Sequence, residues 1–196
     1  MANKMMIGLI SLTAALTLSA CGGNTNEDAK ETSGHDAHST EHTENSGEMD
    51  HSTMNHSTDG QIPNGLKEST NPKYPIGSTA VIQADHMEGM NGAEATIVGA
   101  YDTTVYTASY TPTNGGKPVL NHKWVIHEEL DGVGNEPLKP GDTVKINADH
   151  MEGMNGATAT IDSAEVTTVY MVDYTSTTGE SVTNHKWVTE SELSVK

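Results

Sequence analysis

The sequence predicts an all-β protein in which two tandem small barrels follow an N-terminal tail. Three observations predict this fold class. The same ten residues, ADHMEGMNGA, occur at Ala84–Ala93 and again at Ala148–Ala157, so the chain contains an internal duplication. Apolar and polar residues alternate beside both blocks, as they do in half-buried strands. Four or five short strands fit within each unit of about 54 residues, a number typical of a small barrel.

Residues 1–20 are predicted to form a lipoprotein signal peptide. Lys4 gives a positive start, an apolar run extends to Leu18, and small residues precede Cys21, which is the pattern of a secretory signal. The run is short for a membrane-spanning helix. The tetrad ending at Cys21 resembles the lipobox of bacterial lipoproteins. This resemblance implies cleavage before Cys21, lipidation of its thiol and a lipid anchor facing the extracellular side; the alternative is an ordinary signal peptide with a chance cysteine.

Residues 21–71 are predicted to be a disordered, lipid-anchored tail. They contain almost no bulky apolar residues, so they cannot bury enough surface to offset the entropy of ordering. The tail is rich in histidine and methionine, a composition typical of metal binding, although it also suits a solvated spacer. The candidate ligands in this tail, with Cu(II) as a possible ion, are His35, His38, His42, Met49, His51, Met54 and His56.

The duplication aligns Gly77–Leu130 with Gly141–Leu193. Over Gly77–Tyr110, 22 of 34 positions are identical in the second copy, at an offset of 64 residues that becomes 63 at the tryptophans. We therefore expect one barrel repeat at residues 72–131 and a second at residues 132–196. A unit of this size is marginal on its own core, so the copies are expected to pack together or to gain stability from a ligand.

Each repeat reads as a series of short strands. In the second copy, Val144, Ile146 and Ala148 alternate with polar residues, and a glycine-bearing turn follows. Next come ATATI, the β-branched and aromatic stretch TTVYMVDY, and NHKWV before a closing turn. A glycine loop between the first two strands is similar to SH3-like barrels of the KOW type, and this similarity implies the fold but not a function.

Composition narrows the function classes. The chain has 27 acidic residues, ten lysines and no arginine, and a formal net charge of −17. Nucleic-acid binding needs basic clusters, so nucleic acid is not an expected partner. Cys21 is the only cysteine, which excludes disulfides and a cysteine nucleophile from the mature chain. No nucleophile elbow or phosphate loop is present either, so we do not expect an enzyme.

The repeated turn predicts a metal site. Thioether sulfur selects Cu(I) and imidazole suits copper or zinc, and each turn places one histidine and two methionines within five residues. On a strand, residues two apart share a face, so the histidine of NHKWV lies beside a tryptophan whose ring could shield a soft cation. The predicted ligands are His86, Met87, Met90, His122, His150, Met151, Met154 and His185, with Trp124 and Trp187 as shielding aromatics.

A structural role for the same residues stays open. His86 has the same strand parity as Ile82 and Ala84, and His150 has that of its counterparts, so both histidines could point into the core. Methionine is a common gap-filler, and the tryptophans are the largest apolar groups available. The second half of each site is expected from NHKWV, about 36 residues after the turn.

The chain resembles the YdhK-like surface lipoproteins of Gram-positive bacteria, whose copper-resistance members are called CopL. The match rests on the lipobox at Cys21, the two ADHMEGMNGA turns, the two TTVY stretches and the two NHKWV strands. The resemblance implies a protein anchored to the cell membrane of a Gram-positive bacterium, outside the cell, that binds copper and limits its toxicity. A copper-exporting ATPase is an expected partner.

Two other functions remain as alternatives to copper sequestration. SH3-like repeats on a polar stalk would suit a cell-wall or protein-interaction module. A histidine-rich lipoprotein could also buffer zinc or nickel. The leading prediction is Cu(I) at the methionine-containing turns and sequestration by equilibrium binding.

Overall fold

The computed structural model describes residues 56–196, and this part of the chain consists of β-strands, turns and two 3-10 helices, His127–Glu129 and Glu190–Glu192. The all-β prediction is confirmed. Neither helix of this region has the length and apolar character needed to cross a membrane. The strands are β1 (Lys67–Glu68), β2 (Thr79–Ile82), β3 (Glu94–Tyr110), β4 (Val119–Ile126), β5 (Leu130–Asp131), β6 (Thr143–Ile146), β7 (Thr158–Thr175), β8 (Ser181–Thr189) and β9 (Leu193–Ser194).

Strands β3 and β7 form the centre of one antiparallel sheet. They pair from Ala95 opposite Tyr174 to Tyr110 opposite Ala159. Near its start β3 alternates between buried and exposed residues, as a strand does when one face packs on a core and the other meets water. The shorter strands attach to this pair: β2 and β4 to β3, and β6 and β8 to β7.

The strand pairing has an approximate two-fold symmetry that relates the two sequence copies. Thr103 lies opposite Thr167, its own counterpart in the second copy. Strand β2 pairs with β9 near the C-terminus, and the equivalent pair is β6 with β5. The first strand of each copy is therefore hydrogen-bonded to the last strand of the other copy.

The hydrophobic core is divided in the same crossed way. What we call lobe 1 combines the first half of copy one with the second half of copy two, and lobe 2 combines the remaining halves. Lobe 1 contains Ala80, Ile82, Ala84, Met90, Ala93, Ala95, Ile97, Tyr170, Val172, Tyr174, Val182, Val188 and Leu193 among others. Lobe 2 contains Tyr106, Ala108, Tyr110, Val125, Leu130, Val144, Ile146, Ala148, Met154, Ala157, Ala159 and Ile161. A third cluster, which includes both tryptophans, completes the core.

Two closed barrels, one for each copy, are not what residues 56–196 form. The strand order β5-β6-β7-β3-β2-β9 has two ends that do not pair with each other, so the sheet is open and the SH3-like barrel is not confirmed. The reason lies in strand length. Strands β3 and β7 have 17 and 18 residues, about three times the usual length. Each of them therefore serves both lobes, and the copies at 72–131 and 132–196 share their cores.

Candidate metal centre

A cavity of about 300 Å³ collects most of the histidines of the described region. Its lining includes five histidines and two methionines: His56, His86, His122, His150, His185, Met87 and Met151. Six of the eight ligands predicted in the repeats are in this set. Val119, Leu120 and Asn121 of β4 form another part of the wall, and Lys123 and Lys186 also line it.

The local fold of each repeated turn decides which of its methionines reaches the cavity. Gly89 has φ +72° and Gly153 has φ +76°, a conformation that side chains disfavour. Just after each of these glycines the chain closes a tight turn, in which the amide of the second methionine donates to the carbonyl of the first, at 3.2 and 3.1 Å. The two methionines of one turn consequently lie on different sides of it.

Met90 and Met154 do not line the cavity, which corrects the predicted ligand set. Both side chains are fully buried, Met90 in the core of lobe 1 and Met154 in the core of lobe 2. Their thioethers replace bulky aliphatic groups in small cores that contain no phenylalanine. Methionine is well suited to fill such irregular space. The structural reading of these two residues is therefore the better one.

Glu192 organises the first of two equivalent polar clusters. Its Oε1 lies 2.7 Å from Nε2 of His86, and its Oε2 accepts a hydrogen bond of 2.7 Å from the indole Nε1 of Trp124. The 3-10 turn at Glu190–Glu192 folds the carboxylate back onto the amide of Thr189. Burial raises the pKa of Glu192, but the hydrogen bond and charge of His86, with those other donors, outweigh it and lower the pKa to about 2.

Glu129 organises the second cluster in the same way. Its Oε1 lies 2.8 Å from Nε2 of His150 and accepts a hydrogen bond of 3.1 Å from the indole Nε1 of Trp187. The 3-10 turn at His127–Glu129 brings its Oε2 within 3.1 Å of the Ile126 amide. In both clusters the histidine and the carboxylate come from different sequence copies.

These contacts leave one nitrogen of each turn histidine directed away from its carboxylate. A carboxylate only accepts hydrogen bonds, so Nε2 of His86 and of His150 is the donor. The Nδ1 atoms of both rings are buried and have no hydrogen-bond partner among the described residues. Metal-ligating histidines commonly donate their other N–H to a carboxylate, which fixes the ring and raises its basicity. The two Nδ1 atoms therefore have the environment of metal ligands.

A buried tyrosine joins each cavity methionine to a strand histidine. The Tyr174 hydroxyl donates to Sδ of Met87 at 3.9 Å, and its ring packs edge-on against His185 at 5.9 Å between centroids. Tyr110 makes the same two contacts, with Met151 at 3.8 Å and with His122 at 5.9 Å. Burial raises the pKa of both hydroxyls to about 12, so they remain protonated donors.

Two half-sites follow, and each draws on both sequence copies. Half-site 1 contains His86, Met87 and His185; half-site 2 contains His150, Met151 and His122, in which the two imidazoles are 6.2 Å apart between centroids. No group of three His, Cys, Asp or Glu side chains within residues 56–196 has the spacing to hold one ion. Each half-site accordingly offers two imidazoles and one thioether rather than three ligands of those four types.

His185 is held in its neutral form. Burial, together with the positive charge that His86, His150 and His56 would add, lowers its pKa to about 3. Its Nε2 is buried and has no hydrogen-bond partner among the described residues. A neutral imidazole with a lone pair free of hydrogen bonds is the form that coordinates metal.

Trp124 and Trp187 are not among the residues that line the cavity, although Trp124 packs edge-on against His86 at 6.4 Å between centroids, and their shielding role stays a prediction. Their rings lie in the central core cluster, and their N–H groups hold the two glutamates. The histidine and the tryptophan of each NHKWV block do not both reach the cavity, although they are two residues apart, because β4 and β8 are irregular. Asn121 and Asn184 have φ of +50° and +51°, and the pairing register shifts in both strands.

The pairing of turn and strand also differs from the prediction. The turn of copy one meets the NHKWV strand of copy two in half-site 1, and the reverse holds in half-site 2. Glu129, Glu192, Tyr110 and Tyr174 were not predicted as part of the site, although both copies carry them at equivalent positions. The Thr189-to-Glu192 spacing matches a capping box, which was the available signal for one of the glutamates.

The remaining predicted residues lie outside the described region. They are the signal peptide at 1–20, Cys21 and the tail residues His35, His38, His42, Met49, His51 and Met54. His56 is the exception in the tail, because it is described and lines the cavity.

The fold and the cavity define a class of protein: a duplicated, interlocked all-β chain with a histidine- and methionine-lined cavity. The chain belongs to the family described as Protein of unknown function (DUF1541), which matches residues 76–127 and 140–190 as two repeats. The predicted resemblance is confirmed at the level of this family and its two repeats, and its copper-resistance part stays a prediction.

Individual relatives agree with this assignment. The chain is 56% identical over 195 residues to the Uncharacterized protein YdhK of Bacillus subtilis (strain 168), covering 99% of this chain and 90% of that protein. The 2.00 Å crystal structure of a DUF1541 family protein (ydhK) from Bacillus subtilis matches with a TM-score of 0.71 at 64% identity, covering 74% of this chain and 100% of that one. A solution NMR structure of the ydhK C-terminal domain matches with a TM-score of 0.60 at 66% identity, covering 62% and 93%.

Proposed function

We propose that this chain is an extracellular, lipid-anchored copper-binding protein that sequesters copper ions and protects against their toxicity. One observation carries the proposal: buried imidazole nitrogens without hydrogen-bond partners, in His86, His150 and His185, line one cavity with the thioethers of Met87 and Met151. Imidazole and thioether together favour copper, and thioether selects Cu(I) in particular. Such a site needs only equilibrium binding and no catalytic group.

The arrangement favours two ions rather than one. The half-sites are equivalent by the two-fold symmetry of the sheet, and each has its own methionine, tyrosine and glutamate-held histidine. The net charge of −17 also favours the binding of cations. We therefore expect a stoichiometry of two Cu(I) per cavity, in addition to any ions bound by the tail.

A matched pair of double variants tests this function. Met87→Leu with Met151→Leu removes both cavity thioethers, while Met90→Leu with Met154→Leu makes the same change at the core methionines of the same turns. In competition with a chromophoric Cu(I) chelator, the first pair should weaken binding at least tenfold and the second should leave it unchanged. Both pairs are made in a background chain that keeps His56. In this background the remaining tail ligands are replaced by serine, namely His35, His38, His42, Met49, His51 and Met54. Equal affinity in all three proteins would contradict the proposal.

The location outside the membrane rests on Cys21. If its thiol is lipidated, a clickable palmitate analogue should label the chain in cells, and Cys21→Ser should abolish the label and release the protein into the medium. A secreted wild-type chain without lipid would contradict this part of the proposal and leave copper binding unaffected.

Zinc or nickel buffering is a second candidate, and the ratio of ligands favours it. The cavity has five imidazoles but only two thioethers, and imidazole also suits zinc and nickel. Competition between Cu(I) and Zn(II) in the same chain distinguishes the two functions. Copper should displace zinc, and the Met87→Leu, Met151→Leu variant should lose this preference.

A further inference from the structure

A short segment before the repeats crosses the outer edge of β8. We call residues 56–61 the strap. The Thr58 amide donates to the Thr183 carbonyl at 3.0 Å, and the Thr58 hydroxyl donates to the Asn184 carbonyl at 2.6 Å. The Asn184 side chain returns a bond of 3.3 Å to the Thr58 carbonyl. At the far end, the Lys186 ammonium donates to the Gln61 carbonyl.

The strap makes the two half-sites unequal. It crosses β8, which carries His185, and its first residue, His56, enters the cavity. His185 is buried, with 6% of its surface exposed, whereas its counterpart His122 on β4 is only half-buried. Neighbouring residues follow the same trend: Asn184 is half-buried and its counterpart Asn121 is exposed.

His56 lies next to His185 in the cavity. A hydrogen bond joins the His185 ring to the His56 backbone, and both side chains line the same cavity. The strap thus adds an imidazole beside half-site 1 that no residue of the repeats supplies. His56 is the imidazole that the strap brings to His185, in addition to those of His86 and His150.

We propose that the strap is a metal-linked clasp in which His56 serves as an additional ligand of half-site 1. Half-site 1 then binds copper more tightly than half-site 2. No three imidazoles within residues 56–196 have the spacing of a metal site, so binding must draw His56 inward and tighten the strap on β8. This inference rests on the proposed copper function and assigns the order in which the two half-sites fill.

The test is a stepwise Cu(I) titration followed by native mass spectrometry and by hydrogen exchange. The unmodified chain should bind two cavity ions in steps at least tenfold apart in affinity, counted in the background with serine at the other tail ligands. The first equivalent should slow exchange of the Thr58 amide. His56→Gln should weaken the tighter step at least tenfold, leave the weaker step unchanged and abolish the slowing at Thr58.

Two further variants separate the ligand from the strap and the two half-sites from each other. Thr58→Val removes the hydroxyl bond to Asn184 while keeping His56, so it should weaken the tighter step less than His56→Gln does. His185→Gln should remove the tighter step, and His122→Gln should remove the weaker one. Thermal unfolding of each variant shows that it is folded; His56 lies outside the sheet, so His56→Gln is expected to fold normally.

The outcomes distinguish the clasp from the proposed function. If the unmodified chain binds no copper in the cavity, the proposed function fails and the clasp fails with it. If it binds two ions with equal affinities, or if His56→Gln changes neither step, the clasp is wrong and the copper function stands.

Discussion

Half-site 1 and half-site 2 are built from nearly the same residues but are covered differently. In both, a turn histidine donates to a buried glutamate and a tyrosine hydroxyl contacts the cavity methionine. The strap crosses the strand that carries His185 of half-site 1, and His185 is buried while His122 of half-site 2 is partly exposed. The types of candidate ligand are therefore set by residues of the repeats, whereas the solvent exposure of the strand histidine depends on a segment that precedes them.

The largest expected effect tests whether the lobes that carry the half-sites are equally stable. Met90→Ala and Met154→Ala each remove a fully buried side chain. Each should lower the free energy of unfolding by about 2–5 kcal/mol because a cavity is left behind. Urea denaturation, followed by tryptophan fluorescence, measures the loss.

The two losses should be similar, and each variant should unfold in one transition because β3 and β7 run through both lobes. Met90→Leu and Met154→Leu serve as controls and should cost less than about 1.5 kcal/mol. Two separate transitions in either variant would show that the lobes are independent.

The next effect concerns the carboxylates that hold the turn histidines. Glu192→Gln and Glu129→Gln keep the side-chain shape but replace an acceptor oxygen with an amide donor. Each change should lower stability by about 1–3 kcal/mol. Each should also weaken Cu(I) binding in its own half-site by about 10- to 100-fold.

Chemical denaturation and stepwise copper titration check these values. Glu128→Gln, next to Glu129 in the same 3-10 turn, is the control for copper affinity, since its carboxylate accepts a hydrogen bond from the Thr103 hydroxyl rather than from a turn histidine or tryptophan. Loss of affinity in both half-sites after a single substitution would contradict the division of the cavity.

A pH series sharpens the contrast between the covered and the open histidine. His185 has a pKa near 3 in the folded chain, against 6.5 ordinarily. The unfolded chain therefore takes up a proton that the folded chain excludes, and stability falls as the pH drops below about 6.5. Between pH 7 and pH 5 this proton uptake by the unfolded chain should lower the free energy of unfolding by about 2 kcal/mol.

His185→Gln should remove that part of the pH dependence, and His122→Gln should retain it, as measured by urea denaturation at both pH values. The contribution of Glu192 is not lost in this window. Its lowered pKa stabilises the fold above its ordinary value of 4.5, and that stability disappears only as the pH falls towards 2. An unchanged slope in His185→Gln would contradict the burial of a neutral imidazole.

The smallest expected effect comes from the tyrosine hydroxyls. Tyr174→Phe and Tyr110→Phe remove only the contact with Met87 or Met151, so each should cost less than about 1 kcal/mol. Cu(I) affinity should change by less than tenfold and by the same factor in both half-sites. A larger change on one side would show that the hydroxyl does more there than orient the thioether.

Much of the fold and of the site could be predicted from the sequence, because strands and turns are encoded locally. The alternation around Val144 and Ile146 identified a strand, and the two repeated blocks, ADHMEGMNGA and NHKWV, together identified six residues that line the cavity. The crossed strand pairing between the two copies could not be predicted, since β2 has the same apolar pattern whether it pairs within its own copy or with β9. Only the long register between β3 and β7 decides that.

The different environments of the two methionines in each turn also could not be predicted from the sequence. Met87 and Met90 are the same residue type three positions apart, and the positive φ of Gly89 separates their environments. His56 was grouped with the tail because its own neighbours are polar. The hydrogen bonds of Thr58 to β8, which bring it to the cavity, connect residues 126 positions apart.

The crossed pairing has a consequence for how such a protein can change over time. A chain with one copy would lack the glutamate and the second imidazole for its own turn, and would find them only in another molecule. The arrangement is that of a two-fold dimer whose subunits have become one polypeptide. A substitution at His86 therefore changes the environment of Glu192 in the other copy. The two copies are free to diverge in their loops but must evolve together wherever they are in contact.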